Sequence, residues 1–312
     1  MTDIVDRFDV AVIGQGPAGM TAALYAARSG LSTASFERMG AGGQMTDTEQ
    51  LDNYPGFTEG IAAFELAFAM SGQAARFGAR TVNEEVVELD LHANPKRIAT
   101  ASGSVYEADA VILATGAVPR PLGIEGEKEL AGRGVSYCAT CDGGFFRDKR
   151  VAVIGGGNTA VEDALYLARI CSEVHIIHRR DAFRADAIYT RPLADLPNVM
   201  LHMECVVESL HESEGRVSGV ALRNTKTGRQ DSIDVEGVFV AVGTMPKNDL
   251  FADSGLAMDA AGYVVADETG KTDIPGVFVA GDVRTKALRQ VSTAVGDGAN
   301  AAHAAFEYLS LR

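Results

Sequence analysis

Short unbroken apolar runs alternate along this chain with segments whose apolar residues recur at helical spacing. Val10 to Ile13 is one such run, the pattern of a parallel strand buried on both faces. Met20 to Arg28, rich in alanine, predicts a helix directly after it, and Ile61 to Phe77 predicts a second, amphipathic one. Thr81 to Leu91, Ile98 to Ala101 and Val105 to Tyr106 read as a short antiparallel meander. Val111 to Leu113 restores a buried strand, ending in Ala114-Thr115-Gly116, and Pro119 and Pro121 mark a crossing to another unit. Near the end, Val277-Phe278-Val279-Ala280 reads as a buried strand running into Gly281-Asp282, and Ala294 to Leu311 has helical character.

The pattern repeats. Ala11 to Gly30 and Ala152 to Cys171 align at an offset of 141 residues, with 10 of the 20 positions identical. The far ends correspond too: Val111, Ala114, Gly116 and Pro119 match Val238, Ala241, Gly243 and Pro246. Such a duplication implies an α/β fold of two Rossmann-like, three-layer ββα nucleotide-binding domains, one inserted in the other. Residues 1–117 and 247–312 would form the outer, discontinuous domain and residues 118–246 the inserted one.

Glycines stand at the first, third and sixth positions after the first strand: Gly14, Gly16 and Gly19, with Pro17 and Ala18 between. That spacing permits a tight turn, close approach of backbone to a pyrophosphate, and close helix–strand packing. The following helix would aim unpaired N–H groups at phosphate. Glu37, at the end of the next apolar stretch, can accept from both ribose hydroxyls of an adenosine. In the repeat, Gly155, Gly157, Asn158, Thr159 and Ala160 occupy the turn, and the offset carries Glu37 onto His178. Arg179 and Arg180 follow, with Arg184 four residues on. Guanidinium groups grip a 2′-phosphate that a carboxylate would repel, so the second unit is expected to take NADPH. The plainer reading is a solvated basic corner.

Cys138-Ala139-Thr140-Cys141-Asp142 carries the remaining chemistry. Two thiols at this spacing can cycle between dithiol and disulfide, and the adjacent carboxylate of Asp142 can carry the proton the exchange moves. Half a zinc site or a structural staple are the alternatives. Zinc needs a second ligand pair, and Cys171 and Cys205 stand alone. Cys171, His175 and His178 have only a loosely metal-like spacing, so no metal is expected. A hydride from NADPH reaches a disulfide most simply through a flavin, which makes FAD the expected ligand of the first unit.

Composition narrows the setting. The chain has 312 residues, 46% hydrophobic and 22% charged, with room for two domains. A formal charge of −14 argues against non-specific nucleic-acid binding. Met1 to Arg7 has no apolar run, so neither leader nor membrane anchor is expected there, and no stretch is long enough to span a membrane. Four cysteines with one redox-type pair point to a reducing cytoplasm.

Together, Cys138-Ala139-Thr140-Cys141-Asp142-Gly143, Gly155 to Ala160, His178-Arg179-Arg180-Asp181, Gly281-Asp282-Val283 and Arg289-Gln290 resemble the low-molecular-weight bacterial thioredoxin reductases, nearly end to end. The resemblance implies a homodimer that reduces thioredoxin or a thioredoxin-like protein through Cys138 and Cys141, with Asp142 as proton carrier. It implies FAD on Gly14, Gly16, Pro17, Ala18, Gly19, Glu37, Gly43, Gln44, Asn53, Ala114, Thr115, Gly116, Gly281, Asp282, Arg289, Gln290 and Val291. It implies NADPH on Gly155, Gly157, Asn158, Thr159, Ala160, His178, Arg179, Arg180 and Arg184. One departure is Gly143-Gly144-Phe145-Phe146, where the family more often has a single glycine before the aromatics; an extra glycine would loosen the turn after Asp142. Competing readings are the flavoprotein arm of a peroxide-reducing system, a flavin thiol oxidase, and a non-catalytic redox sensor. The first would carry a further C-x-x-C module, and the second has no use for His178-Arg179-Arg180. Turnover separates the third.

Overall fold

The computed structural model describes residues 4–47 and 50–312; Met1 to Asp3, in the stretch read above as free of a leader, lie outside the described residues. Two compact units divide the chain, Met1–Val118 with Met245–Arg312, and Pro119–Thr244.

The first unit is built on a seven-stranded sheet in the order Arg80–Val82, Thr33–Phe36, Ile4–Ile13, Val105–Leu113, Lys96–Thr100, Val86–Asp90. Val277–Val279 is a further partner of Val105–Leu113. Along one edge, that long strand takes two partners of the same sheet in succession. Its residues 105–108 pair antiparallel with Lys96–Thr100, and its residues 111–113 pair parallel with Val277–Val279. Burial accordingly switches from alternating to continuous along it. The change of period is why the sequence pattern reads as two short strands rather than one. Arg80–Val82 also departs from expectation: it lies parallel beside Thr33–Phe36 instead of opening the meander.

Both faces of the parallel sheet are covered, so neighbouring residues enter different cores. Ala11 and Ile13 pack with Phe36, Leu113 and Val277. Val10 and Val12 face Ala22, Ala23, Ala301 and Ala305 of helices Pro17–Arg28 and Val291–Ser310. Both valines are wholly buried, each worth about 1.5–3 kcal/mol in surface removed from water. The amphipathic segment forms helix Ala63–Arg76 after a two-residue strand, Ile61–Ala62.

The second unit repeats the plan. Its parallel sheet runs Val135–Ser136, Gly237–Val240, Arg150–Ile154, Glu173–His178, Val199–Met203. An antiparallel sheet of Cys205–Ser213, Arg216–Asn224 and Gln230–Ile233 supplies Val220 and Leu222 to a core shared with Ala152 and Ile154. Val151 and Val153 face the other way, toward helix Asn158–Leu167. In each unit the strand entering the glycine turn lies between the next strand and a later parallel one, Val105–Leu113 in the first and Gly237–Val240 in the second, so the duplication extends to topology.

Cys171, His175 and His178 are not brought together. Cys171 is packed in the helix-side core, where burial pushes its thiol up to about 11. His175 shares a 2.9 Å hydrogen bond with His202 and lies 2.9 Å from Glu173. Among the described residues, no helix is long and apolar enough to cross a membrane.

Candidate active site

In the first unit the strand Ile4–Ile13 delivers the chain into the turn at Gly14, whose φ of +104° suits glycine alone. A Cβ on Gly14 would press on the Ala114 carbonyl, and one on Gly19 would overlap the carbonyl of Gly14. A Cβ on Gly16 would meet nothing within 4 Å. The protein's own packing thus demands the first and third glycines, whereas the second leaves backbone open to a ligand, as a pyrophosphate requires. Helix Pro17–Arg28 starts there with no side-chain cap, leaving its first N–H groups for an anion.

Glu37 is held beside this turn. Its carboxylate accepts from the backbone N–H of Gln15 at 3.1 Å, Arg38 at 2.8 Å and Met39 at 3.2 Å. Gly43 approaches so closely that its Cβ would stand 3.1 Å from the Cα of Gly16, and Gln44 follows, exposed. Ala114 donates to the Ile13 carbonyl at 2.9 Å, and Thr115 and Gly116 bond to the backbone of Lys247.

Strand Val277–Val279 leads into Gly281 and Asp282. Burial pushes the Asp282 carboxyl up, against the pull of Lys286 and Arg289. Its Oδ1 is buried and has no hydrogen-bond partner among the described residues, Lys286 Nζ lying 3.7 Å away. Asp297 steadies the same turn, accepting from Arg284 at 3.0 Å, Lys286 at 2.8 Å and the Gly281 N–H at 3.1 Å. Arg289 stacks over Tyr263 at 4.1 Å. Gln290 caps helix Val291–Ser310 in a reciprocal box with Thr293, and Asn53 donates to its Oε1 at 3.1 Å. The donor set fits FAD: an open glycine and helix end for pyrophosphate, a carboxylate for ribose, and an unbonded buried carboxylate oxygen that seeks a hydroxyl such as those of ribitol.

The second unit's turn is built alike. A Cβ on Gly155 would overlap the Ala241 carbonyl, while one on Gly157 would meet nothing within 4 Å. Asn158 opens the helix and is clasped by Asp186 through two 2.9 Å hydrogen bonds, with Thr159 exposed and Ala160 buried beside it. Arg184 and Ala185 donate from their backbone to the Gly156 carbonyl at 2.7 and 3.2 Å, folding the basic segment over the turn. Arg179, Arg180 and Arg184 all have exposed side chains. His178 does not copy Glu37: it is buried beneath Gly156, stacked on Phe183 at 5.7 Å and donating from Nε2 to the Ala182 carbonyl at 3.1 Å. Burial holds its pKa below the usual imidazole value, so it is neutral at pH 7.

Cys138 and Cys141 are joined by a disulfide, their Cα atoms 5.3 Å apart. The pair sits on a single turn, Ala139–Asp142, that continues as a 3₁₀ turn, Gly143–Phe146. Ser136 donates to Asp142 Oδ2 at 2.6 Å and accepts from the Cys138 N–H at 3.1 Å. Tyr137 donates to Glu127 at 2.8 Å, and burial together with that carboxylate pushes the phenol pKa up. Glu127 in turn accepts from the N–H of Leu122 and Gly123, both at 2.9 Å. Ser136, Glu127, Lys286 and Asp297 were not singled out in the sequence; Lys286, four residues after Asp282, had the only local cue.

The two adjacent glycines differ. A Cβ on Gly143 would stand 2.8 Å from Tyr166 Cε1 and 3.1 Å from Leu167 Cδ2, whereas one on Gly144 would meet nothing within 4 Å. Neither has a positive φ. Gly143→Ala is therefore expected to destabilise the holoenzyme by about 1–3 kcal/mol through overpacking. Gly144→Ala should be neutral or stabilise by up to about 1 kcal/mol. Thermal unfolding of both variants checks this, and equal losses would contradict it.

Residues 8–298 match the family model described as pyridine nucleotide-disulphide oxidoreductase. The chain is 45% identical to the thioredoxin reductase of Treponema pallidum over 303 residues, covering 97% of each. To that of Bacillus subtilis it is 43% identical over 302 residues, 97% of this chain and 95% of the relative. Among solved structures, a Streptococcus pyogenes thioredoxin reductase superposes with a TM-score of 0.88 at 42% identity, covering 98% of this chain and 99% of the other.

Proposed function

The chain belongs to the pyridine nucleotide-disulphide oxidoreductase family, and we propose that Cys138 and Cys141 are the redox pair through which it passes electrons from NADPH to thioredoxin. It is an NADPH-dependent flavoprotein disulfide reductase. The observation that carries the assignment of the pair is the Cys138–Cys141 disulfide with the Asp142 carboxylate tied to it through Ser136.

When bound, FAD supplies a two-electron carrier between a hydride donor and a disulfide. The chain's residues do the binding and the proton handling. Gly16 and the start of helix Pro17–Arg28 would receive the pyrophosphate of FAD, and Glu37 would accept from ribose hydroxyls. Asp282 Oδ1 would accept from ribitol, and the start of helix Val291–Ser310 would meet the pyrimidine edge. Gly157 and the start of helix Asn158–Leu167 would hold the NADPH pyrophosphate. Arg179, Arg180 and Arg184 would grip its 2′-phosphate, and buried His178 would support the turn from beneath. Asp142 would carry the proton between the enzyme thiols and the outgoing substrate thiolates. A cytoplasmic homodimer with thioredoxin or a thioredoxin-like protein as its partner completes this reading.

The test is NADPH oxidation by the holoenzyme against a panel of thioredoxin-like proteins. Turnover is expected with at least one thioredoxin. Flavin reduction by NADPH without turnover on any of them would exclude thioredoxin as the substrate.

A further inference from the structure

We infer that Ser136 is a positioning residue for proton transfer at the Cys138–Cys141 pair, joining the Cys138 amide and the Asp142 carboxylate in one hydrogen-bonded chain. The inference rests on reading Asp142 as the proton carrier.

Ser136 is only 4% exposed, so its hydroxyl has protein partners to satisfy rather than water. A hydroxyl offers one hydrogen and two lone pairs. The Cys138 N–H, at 3.1 Å, donates to one lone pair. The hydroxyl hydrogen has two acceptors in reach, Asp142 Oδ2 at 2.6 Å and the Cys138 carbonyl at 3.3 Å. The shorter bond, to a carboxylate, takes it. The first residue of the pair is thereby coupled to the residue just after the second.

Where Ser136 sits matters as much as what it touches. It lies on the strand Val135–Ser136, paired in parallel with Gly237–Val240, and not on the short turn bearing the sulfurs. Its anchor is therefore the sheet rather than the turn that carries the sulfurs.

The step it serves balances as follows. One enzyme thiolate attacks the substrate disulfide, so an enzyme–substrate S–S bond forms while the substrate S–S bond breaks. The second enzyme thiolate then attacks that mixed bond, closing Cys138–Cys141 and releasing the other substrate sulfur. Two electrons pass from the enzyme dithiol to the substrate, and two protons pass from the enzyme thiols to the substrate thiolates. Asp142 accepts and returns these protons only while it is held at the pair, and the Ser136 hydroxyl holds it.

The test uses holoenzyme with thioredoxin in its disulfide form, timing flavin reduction by NADPH and thioredoxin reduction separately across pH. Ser136→Ala is expected to slow thioredoxin reduction roughly tenfold and to displace its pH profile. Flavin reduction should keep the parent rate, which also reports an intact fold. Ser136→Thr should restore both rate and profile. In an Asp142→Asn background, Ser136→Ala should add nothing, because the two residues act as one unit. Equal losses in both backgrounds would overturn the inference and leave Asp142 in place, since Ser136 would then serve only the turn. An Asp142→Asn enzyme with the parent's rate and pH profile would instead sink the reading of Asp142 itself.

Discussion

Cys138→Ser and Cys141→Ser are each expected to abolish reduction of a protein disulfide while leaving the bound flavin reducible by NADPH. Hydride transfer to a flavin involves no sulfur, whereas exchange with a substrate disulfide needs one sulfur to attack and a second to resolve the mixed bond. Serine is close in size to cysteine, and a bridge between residues only three apart closes a very short loop, so little stability is at stake. No other sulfur can deputise. Cys171 is buried with its thiol pushed up to about 11, which leaves almost no thiolate at neutral pH, and Cys205 is half-buried on the strand Cys205–Ser213. The measurement is stopped-flow flavin absorbance beside thioredoxin reduction. Substantial thioredoxin reduction by either variant would move the redox centre away from this pair.

The parts of the fold legible in the sequence are those whose cause is local. A strand covered on both faces must be apolar throughout, so Val10 to Ile13 and Ala152 to Ile154 announce themselves. The glycine turns are legible because Gly14, Gly19 and Gly155 answer to atoms a few residues away or in the matching strand end. Val105–Leu113 was hidden because one strand meets two environments, and no single period describes it. His178 shows the limit of alignment between repeats. The offset finds the residue at the end of the unit's second strand, Glu173–His178, but the adjoining Gly156 and Phe183 decide that the ring turns inward. Ser136 and Asp297 were silent for another reason. Serine before a cysteine motif and aspartate in a glycine-rich helix have many uses. Only the folded turn shows that Ser136 joins a carboxylate to a backbone amide and that Asp297 joins a pair of cations to another.

Replacing Arg179 and Arg180 together by alanine is expected to raise the NADPH dissociation constant by roughly a hundredfold while NADH binding changes little. Hydrogen bonds to a charged group contribute on the order of 1.5–3 kcal/mol each. Both side chains are exposed, so screening puts each near the lower end of that range. Two such losses, about 3 kcal/mol, correspond to about two decades in affinity. The fold should be indifferent: substitutions at exposed positions away from packed features usually stay within about 0.5 kcal/mol. The segment's path over the turn depends instead on the backbone of Arg184 and Ala185 at Gly156, and on Asp186 at Asn158, none of which the variant touches. Arg184 keeps one guanidinium in the variant, so binding should weaken rather than vanish. Ionic strength gives a second reading of the same charge. Added salt should loosen NADPH from the parent enzyme more steeply than from the double variant, because fewer cation–phosphate contacts remain to be screened. Titration of both cofactors at two salt concentrations checks the prediction, and equal weakening of NADPH and NADH would mean that the arginines read something other than the 2′-phosphate.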